Sequence, residues 1–183
     1  MAILDTPAPN TPAAFWNTVL RYGGICGGAF VVLSLVLYLL DFNPMSFGGM
    51  AIQFLSSLAI AVGLAAAAIK HQRSNLDGGF ITFGRAFLIG LLTVAIGVFL
   101  STIWNYLFIN FIDPAYIDNL KEKFVETWGE SMPAEALEQS LERFDKSGEL
   151  TANLTNGLIA AGLIGALSGL IAAAIMKRER PVV

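Results

Sequence analysis

The sequence is short of the residues from which most catalytic centres are built. It holds one cysteine, Cys26, and one histidine, His71, in 183 residues. A lone cysteine excludes an intrachain disulfide and any cysteine-based metal cluster. A lone histidine excludes a pair of histidines acting together, or a multi-histidine metal cluster, within one chain. Charge is scarce too, at 14% of residues, where a soluble domain carries about one quarter. The net charge is −3, with no basic patch of the kind that nucleic-acid binding requires. No phosphate-binding glycine loop, zinc-binding helix motif or dinucleotide fingerprint is present. Nor is there the alternating oxygen-ligand pattern of a calcium loop. No cofactor and no metal are therefore expected.

What the chain has in abundance is apolar sequence: 55% of residues are hydrophobic, with a mean hydropathy of +0.65. These residues lie in blocks. Segments 22–40, 48–69, 86–109 and 154–176 contain no Asp, Glu, Lys or Arg. A helix needs roughly 20 apolar residues to cross the hydrocarbon core, and all four qualify. The short alternating strands of a transmembrane barrel are missing, as are the polar stripes of a soluble bundle. The expected fold is all-α: a polytopic membrane protein with four transmembrane helices forming one domain over 16–178. Residues 1–15, with Pro7, Pro9 and Pro12, read as a flexible tail, and 179–183 as a second tail. The first block starts too late and lacks the basic start of a signal peptide.

Basic residues set the expected orientation. Arg21 precedes the first span, Lys70, Arg73 and Arg85 lie between the second and third, and Lys177, Arg178 and Arg180 follow the fourth. Those regions are expected in the cytoplasm, with both termini there. The link between the first two spans has no Lys or Arg and faces outward, as does the long segment 110–153.

That segment holds ten acidic and four basic residues, a net of −6. Asp113-Pro114 reads as an N-cap followed by proline at the first helical position. Ile117, Leu120, Phe124 and Trp128 then recur at helical spacing, and Gly129 ends the helix. Ser131 before Pro133 reads as a second cap, with Leu137, Leu141 and Phe144 as the next stripe and Gly148 as its end. Glu142 and Lys146 form an i,i+4 pair. An amphipathic helical hairpin results. Its apolar faces either pack on each other and on the span ends, dock a partner through Phe124, Trp128 and Phe144, or lie on lipid.

Small residues recur at every fourth position of the last span: Gly157, Ala161, Gly165, Gly169 and Ala173. Such a ridge lets helix backbones approach closely, which matters where lipid supplies no hydrophobic drive between helices. Its partner is a neighbouring span or a second copy of the chain. The Gly23-Gly24-Ile25-Cys26-Gly27-Gly28 run is packing surface as well, and Cys26 reads as a small buried hydrophobe. Polar residues at span level are few. Arg85 is placed to snorkel, to hold a lipid phosphate or to serve a pore. Asn105 either bonds another helix or lines a small polar pocket. Trp104, Tyr106 and Tyr116 fit an outer aromatic belt. Asp113 suits a cap better than a catalytic acid, and His71 reads as a solvated residue.

The phrases GGFITFGRAFLIGLLT from Gly78 and TIWNYLFINFIDPAYI, then the acidic loop with Met132-Pro133 and the glycine-rich last span, resemble the bacterial family called domain of unknown function 4199. The resemblance covers roughly residues 20–178 and is strongest at 78–116. It implies a small four-span protein of the bacterial inner membrane and supplies no catalytic residue.

Function then follows by elimination. With no catalytic constellation, the leading expectation is a non-enzymatic accessory or assembly subunit of an envelope component. Its partners would be the lipid bilayer and either another copy of the chain or another membrane protein, with no nucleic acid. A small homo-oligomeric transporter or channel, with Asn105, Ser101 or Ser168 on its wall, is the alternative. A lipid-processing enzyme at the interface ranks third.

Overall fold

Backbone amides in hydrocarbon find no water, so a spanning segment must bond its own N–H and C=O groups, as helices do. The protein, seen here in a computed structural model that describes residues 12–178, is all-α, with four helices long and apolar enough to cross a membrane. It is a multi-pass membrane protein. Helix α1 runs Pro12–Leu39, α2 Phe47–Asn75, α3 Phe83–Leu107, α4 Tyr116–Trp128, α5 Ala134–Ser147 and α6 Leu150–Met176. One wide π-helical turn, Phe108–Ile112, prolongs α3. The spans are α1, α2, α3 with its π turn, and α6. The hairpin of α4 and α5 joins the last two.

Each span outruns its uncharged core. Helix α1 begins at Pro12, so residues 12–15, expected in the tail, are helical. Proline suits a first helical position, since its missing N–H has no partner there anyway. The other tail residues expected to be flexible, 1–11 and 179–183, lie outside the described residues. At 28 residues α1 is about 42 Å long at 1.5 Å per residue, against a hydrocarbon core of about 30 Å. Ser46 caps α2 by accepting from Gly49 N at 3.0 Å. Gly78 and Gly79, at φ +64° and +88°, make the tight turn into α3 that other residues resist.

Helix α3 is the centre of the bundle and touches the other three spans, α6 most extensively. The small-residue ridge of α6 is the reason. A methyl group on Gly169 would sit 2.9 Å from Leu91 N, and one on Gly165 3.0 Å from Leu91 O. Gly90 answers from α3, where an added Cβ would lie 2.9 Å from the Gly169 Cα. Gly157 closes on the Thr102 side chain, while Ala161 and Ala173 are buried. The ridge thus packs within the chain. On the other side of α3, Gly97 makes room for Cys26, whose sulfur a Cβ there would meet at 2.7 Å. Cys26 is fully buried, as expected of a small hydrophobe.

Helix α2 behaves differently. Apart from Gly49, which is covered by its own cap, its buried residues begin at Ala61 and run through Ala65, Ala68, Ile69 and Gln72. Its first half stands away from the other spans. The bundle is therefore closed at the end that carries Lys70, Arg73 and Arg85 (the basic end) and splayed at the end beneath the acidic hairpin. Ile81 and Arg178 pair through their backbones, and Arg73 donates to Met176 O at 2.9 Å, tying the basic end shut.

Because Gly169 abuts backbone while Gly162 has nothing within 4 Å, the same substitution should separate them. Gly169→Ala is expected to cost about 1–3 kcal/mol by overpacking, and Gly162→Ala close to nothing, in unfolding from detergent micelles. Equal stability of the two variants would contradict the seam.

Candidate functional site

The divergence of α2 opens a cavity of about 430 Å³ to which all four spans contribute. Its lining is graded in depth. Phe30, Val98 and Ile164 form an apolar floor. Ser34, Ser57, Ser101, Asn105, Asn153 and Asn156 stand above them, toward the acidic end. A second chamber of about 450 Å³ continues outward and shares Ser34, Tyr38, Gln53, Asn105 and Tyr116 with the first. It is walled by Asp41, Phe42 and Pro44 of the α1–α2 link and by the inner face of α4. Ser34, Gln53, Asn105 and Asn156 are all solvent-accessible residues of the spans. An amide exposed to lipid would be costly; here each of the four faces the cleft.

Asn105, for which a bond to another helix or a place in a polar pocket were the alternatives, sits between α3 and α6. It accepts from Asn153 Nδ2 at 3.0 Å, joining α3 to α6, and it lines both chambers. Asn153 is only 8% exposed, and its Oδ1 has no hydrogen-bond partner. Ser101 lies on the wall, whereas Ser168 is fully buried and lines neither chamber.

Aromatic residues frame the mouth. Phe108, brought inward by the π turn, meets Tyr38 at 4.9 Å and Tyr116 at 5.4 Å between ring centroids. Trp104 lies beside Phe108, 6.2 Å away. Trp104 of α3 and Tyr116 of α4, expected in an aromatic belt at the outer interface, both line the cavity. Tyr106 is half-buried and lines neither chamber.

The hairpin roofs the cleft. Trp128 Nε1 donates to Met45 O at 2.9 Å, and Lys123 pairs with Asp41 at 2.6 Å. Phe124 and Phe144 pack edge to face, 5.4 Å apart, inside the hairpin. The three residues expected to form a partner face are thus engaged within the chain. Gly129 and Gly148 stop α4 and α5 as expected. The caps differ. Asp113 does not cap α4: its carboxylate accepts from the Tyr38 hydroxyl at 3.0 Å, and α4 begins at Tyr116. Ser131 does not cap α5 either, since its hydroxyl donates back to Trp128 O. Glu142 and Lys146 pair at 2.7 Å, which holds the glutamate below its ordinary carboxylate value and raises the lysine. Lys121 bridges to Asp145 across the hairpin and is raised for the same reason. Burial, helped by the Asp113 carboxylate, pushes the Tyr116 phenol upward.

At the basic end a buried polar chain crosses three spans. Thr18 donates to Gln72 Oε1 at 2.9 Å, and Gln72 Nε2 donates to Asp77 Oδ1 at 3.2 Å. Asp77 meets Arg85 at 3.0 Å. Arg85 was expected to reach lipid or a pore; it faces a carboxylate of its own chain, with the Asp77 side chain only 6% exposed. His71 is half-buried beside Tyr22, ring centroids 5.6 Å apart, so it is not the solvated residue expected.

Chemically, the span-level chamber offers neutral hydrogen-bonding groups and an apolar floor. No carboxylate, amine, guanidinium or imidazole lines it. Among the described residues no group of three or more His, Cys, Asp or Glu could hold a metal. Sequence reasoning found Asn105 and Ser101 but missed Ser34, Gln53, Asn153 and Asn156. Each stands alone in its own segment, and only the packing of four helices gathers them.

The Asn105–Asn153 hydrogen bond joins α3 to α6 through their side chains. A double-mutant cycle with Asn105→Ala and Asn153→Ala should give a coupling of about 0.5–1.5 kcal/mol. Strict additivity would contradict the bond.

No curated protein and no solved structure matches the chain. A family match covers residues 21–178, which include all four span-level walls of the cleft and the hairpin above it. The chain belongs to the family described as protein of unknown function DUF4199.

Proposed function

We propose that this protein is a non-enzymatic binding protein of the membrane, which holds a small ligand in the cleft between its spans and admits it from the acidic end. The observation that carries the reading is the convergence of uncharged polar side chains from all four spans on one cavity. Its volume of about 430 Å³ falls in the range of small-molecule sites, about 300–1,000 Å³. The neutral lining favours binding over catalysis, since moving a proton calls for a group that titrates near working pH. The closed basic end, with its Thr18–Gln72–Asp77–Arg85 chain, favours one-sided access over a channel. Engagement of Phe124, Trp128 and Phe144 inside the chain weakens the accessory-subunit reading. The basic residues near the span ends support an orientation with both termini in the cytoplasm. In a bacterial inner membrane the acidic hairpin would then be periplasmic.

Native mass spectrometry of the protein released gently from its membrane tests this. The wild type should carry a bound small molecule. Ser57→Phe, which fills the chamber from the splayed half of α2, should lose it. The same adduct on both proteins, or none on the wild type, would overturn the reading.

A further inference from the structure

We infer that the occupant of the cleft is an uncharged amphiphile with hydroxyl donors on its head group, held head toward the acidic hairpin and chain toward the membrane centre. This rests on the ligand-binding reading above and specifies the ligand's chemistry.

Three features of the wall carry it. First, the wall presents acceptors. Ser34 donates its proton to Val31 O at 2.8 Å, Ser101 to Val98 O at 2.9 Å and Thr102 to Val98 O at 2.9 Å. Each hydroxyl thereby spends its hydrogen on its own helix and leaves oxygen lone pairs to the cavity. The side-chain amides of Gln53, Asn105 and Asn156 add carbonyl acceptors and N–H donors to the same wall. A head-group hydroxyl, which both donates and accepts, complements such a wall. Second, the chamber has no ionic group to balance a charge. An ion buried there would keep a desolvation penalty that nothing offsets. Acidic residues at the mouth, Asp41, Glu122 and Glu126, outnumber the single Lys123, which is itself paired with Asp41. Anionic head groups are therefore also repelled on approach. Third, polarity falls with depth. On α3 the order inward is Asn105, Ser101, Val98; on α6 it is Asn153, Asn156, Ile164. That gradient matches a lipid-like molecule lying as it would in the adjoining leaflet.

Four probes test the inference by native mass spectrometry on the full-length protein in detergent, supplied together in equal amounts. They are monooleoylglycerol, methyl oleate, oleylamine and dioleoylphosphatidylglycerol. Monooleoylglycerol should dominate, with methyl oleate, which has no donor, bound about tenfold less. Asn156→Leu should bring the ratio of these two toward one. Should that variant fail to fold, Ser101→Val removes an acceptor from the same wall and reads the same ratio. Equal binding of methyl oleate would overturn the donor requirement. Preference for oleylamine or phosphatidylglycerol would overturn neutrality, and no binding of monooleoylglycerol would overturn the inference as a whole. Failure of the broader reading looks different: the protein would emerge from its membrane empty, and Ser57→Phe would not change the binding of any probe.

Discussion

The structure depends on how closely α6 can approach α3. Where Gly165 and Gly169 rest on the Leu91 backbone, helix axes come nearer than any side chain would allow, and lipid offers no hydrophobic force to replace that contact. The seam fixes two spans along their full length. Helix α1 joins the other side of α3 through Gly23, Gly27 and Gly97. Apart from Gly49 under its own cap, helix α2 has buried small residues only in its second half, from Ala61 on. It can close one end of the bundle and must leave the other open. A cleft is the geometric consequence of where the buried alanines of α2 stop.

The two ends then differ in chemistry as they differ in shape. The closed end buries charge, and does so with partners: Asp77 has Gln72 on one oxygen and Arg85 on the other. Removing one member of such a pair leaves an uncompensated buried charge, which is far more costly than the pair itself is stabilising. The open end keeps its charges on the exposed hairpin, where ion pairs such as Lys123–Asp41 contribute little each. The roof is held by that pair, the Tyr38 hydroxyl, the Trp128 indole N–H and the Tyr116 ring against Tyr38 and Phe108.

Much of this was legible in the residues and part of it was not. Uncharged blocks of the right length announce spans whatever their neighbours do, and the four-residue spacing of Gly157, Ala161, Gly165 and Gly169 announces a packing ridge. The hairpin followed from its apolar stripes, with Gly129 and Gly148 as stops. Asp113-Pro114 misled because local capping rules ignore tertiary competitors. The π turn carries Asp113 to Tyr38, which takes the carboxylate. Arg85 misled for a related reason, as its partner sits across a glycine turn where sequence spacing says nothing about distance. The cleft itself was invisible. Ser34, Gln53 and Asn156 each pass for a tolerated polar residue in a span, and their shared destination is a property of helix packing alone.

The central claim is that water and solutes reach between the spans from the acidic end and no further. Single cysteines in a Cys26→Ser background measure it most directly, with a membrane-impermeant thiol reagent added on the hairpin side. Cysteines replacing Ser57, Ser101 and Asn156 on the cleft wall should label. Those replacing Thr93, fully buried, and Leu163, exposed to lipid, should not. Silence at all three cleft positions, or labelling at Leu163 as fast as at Ser57, would contradict the account.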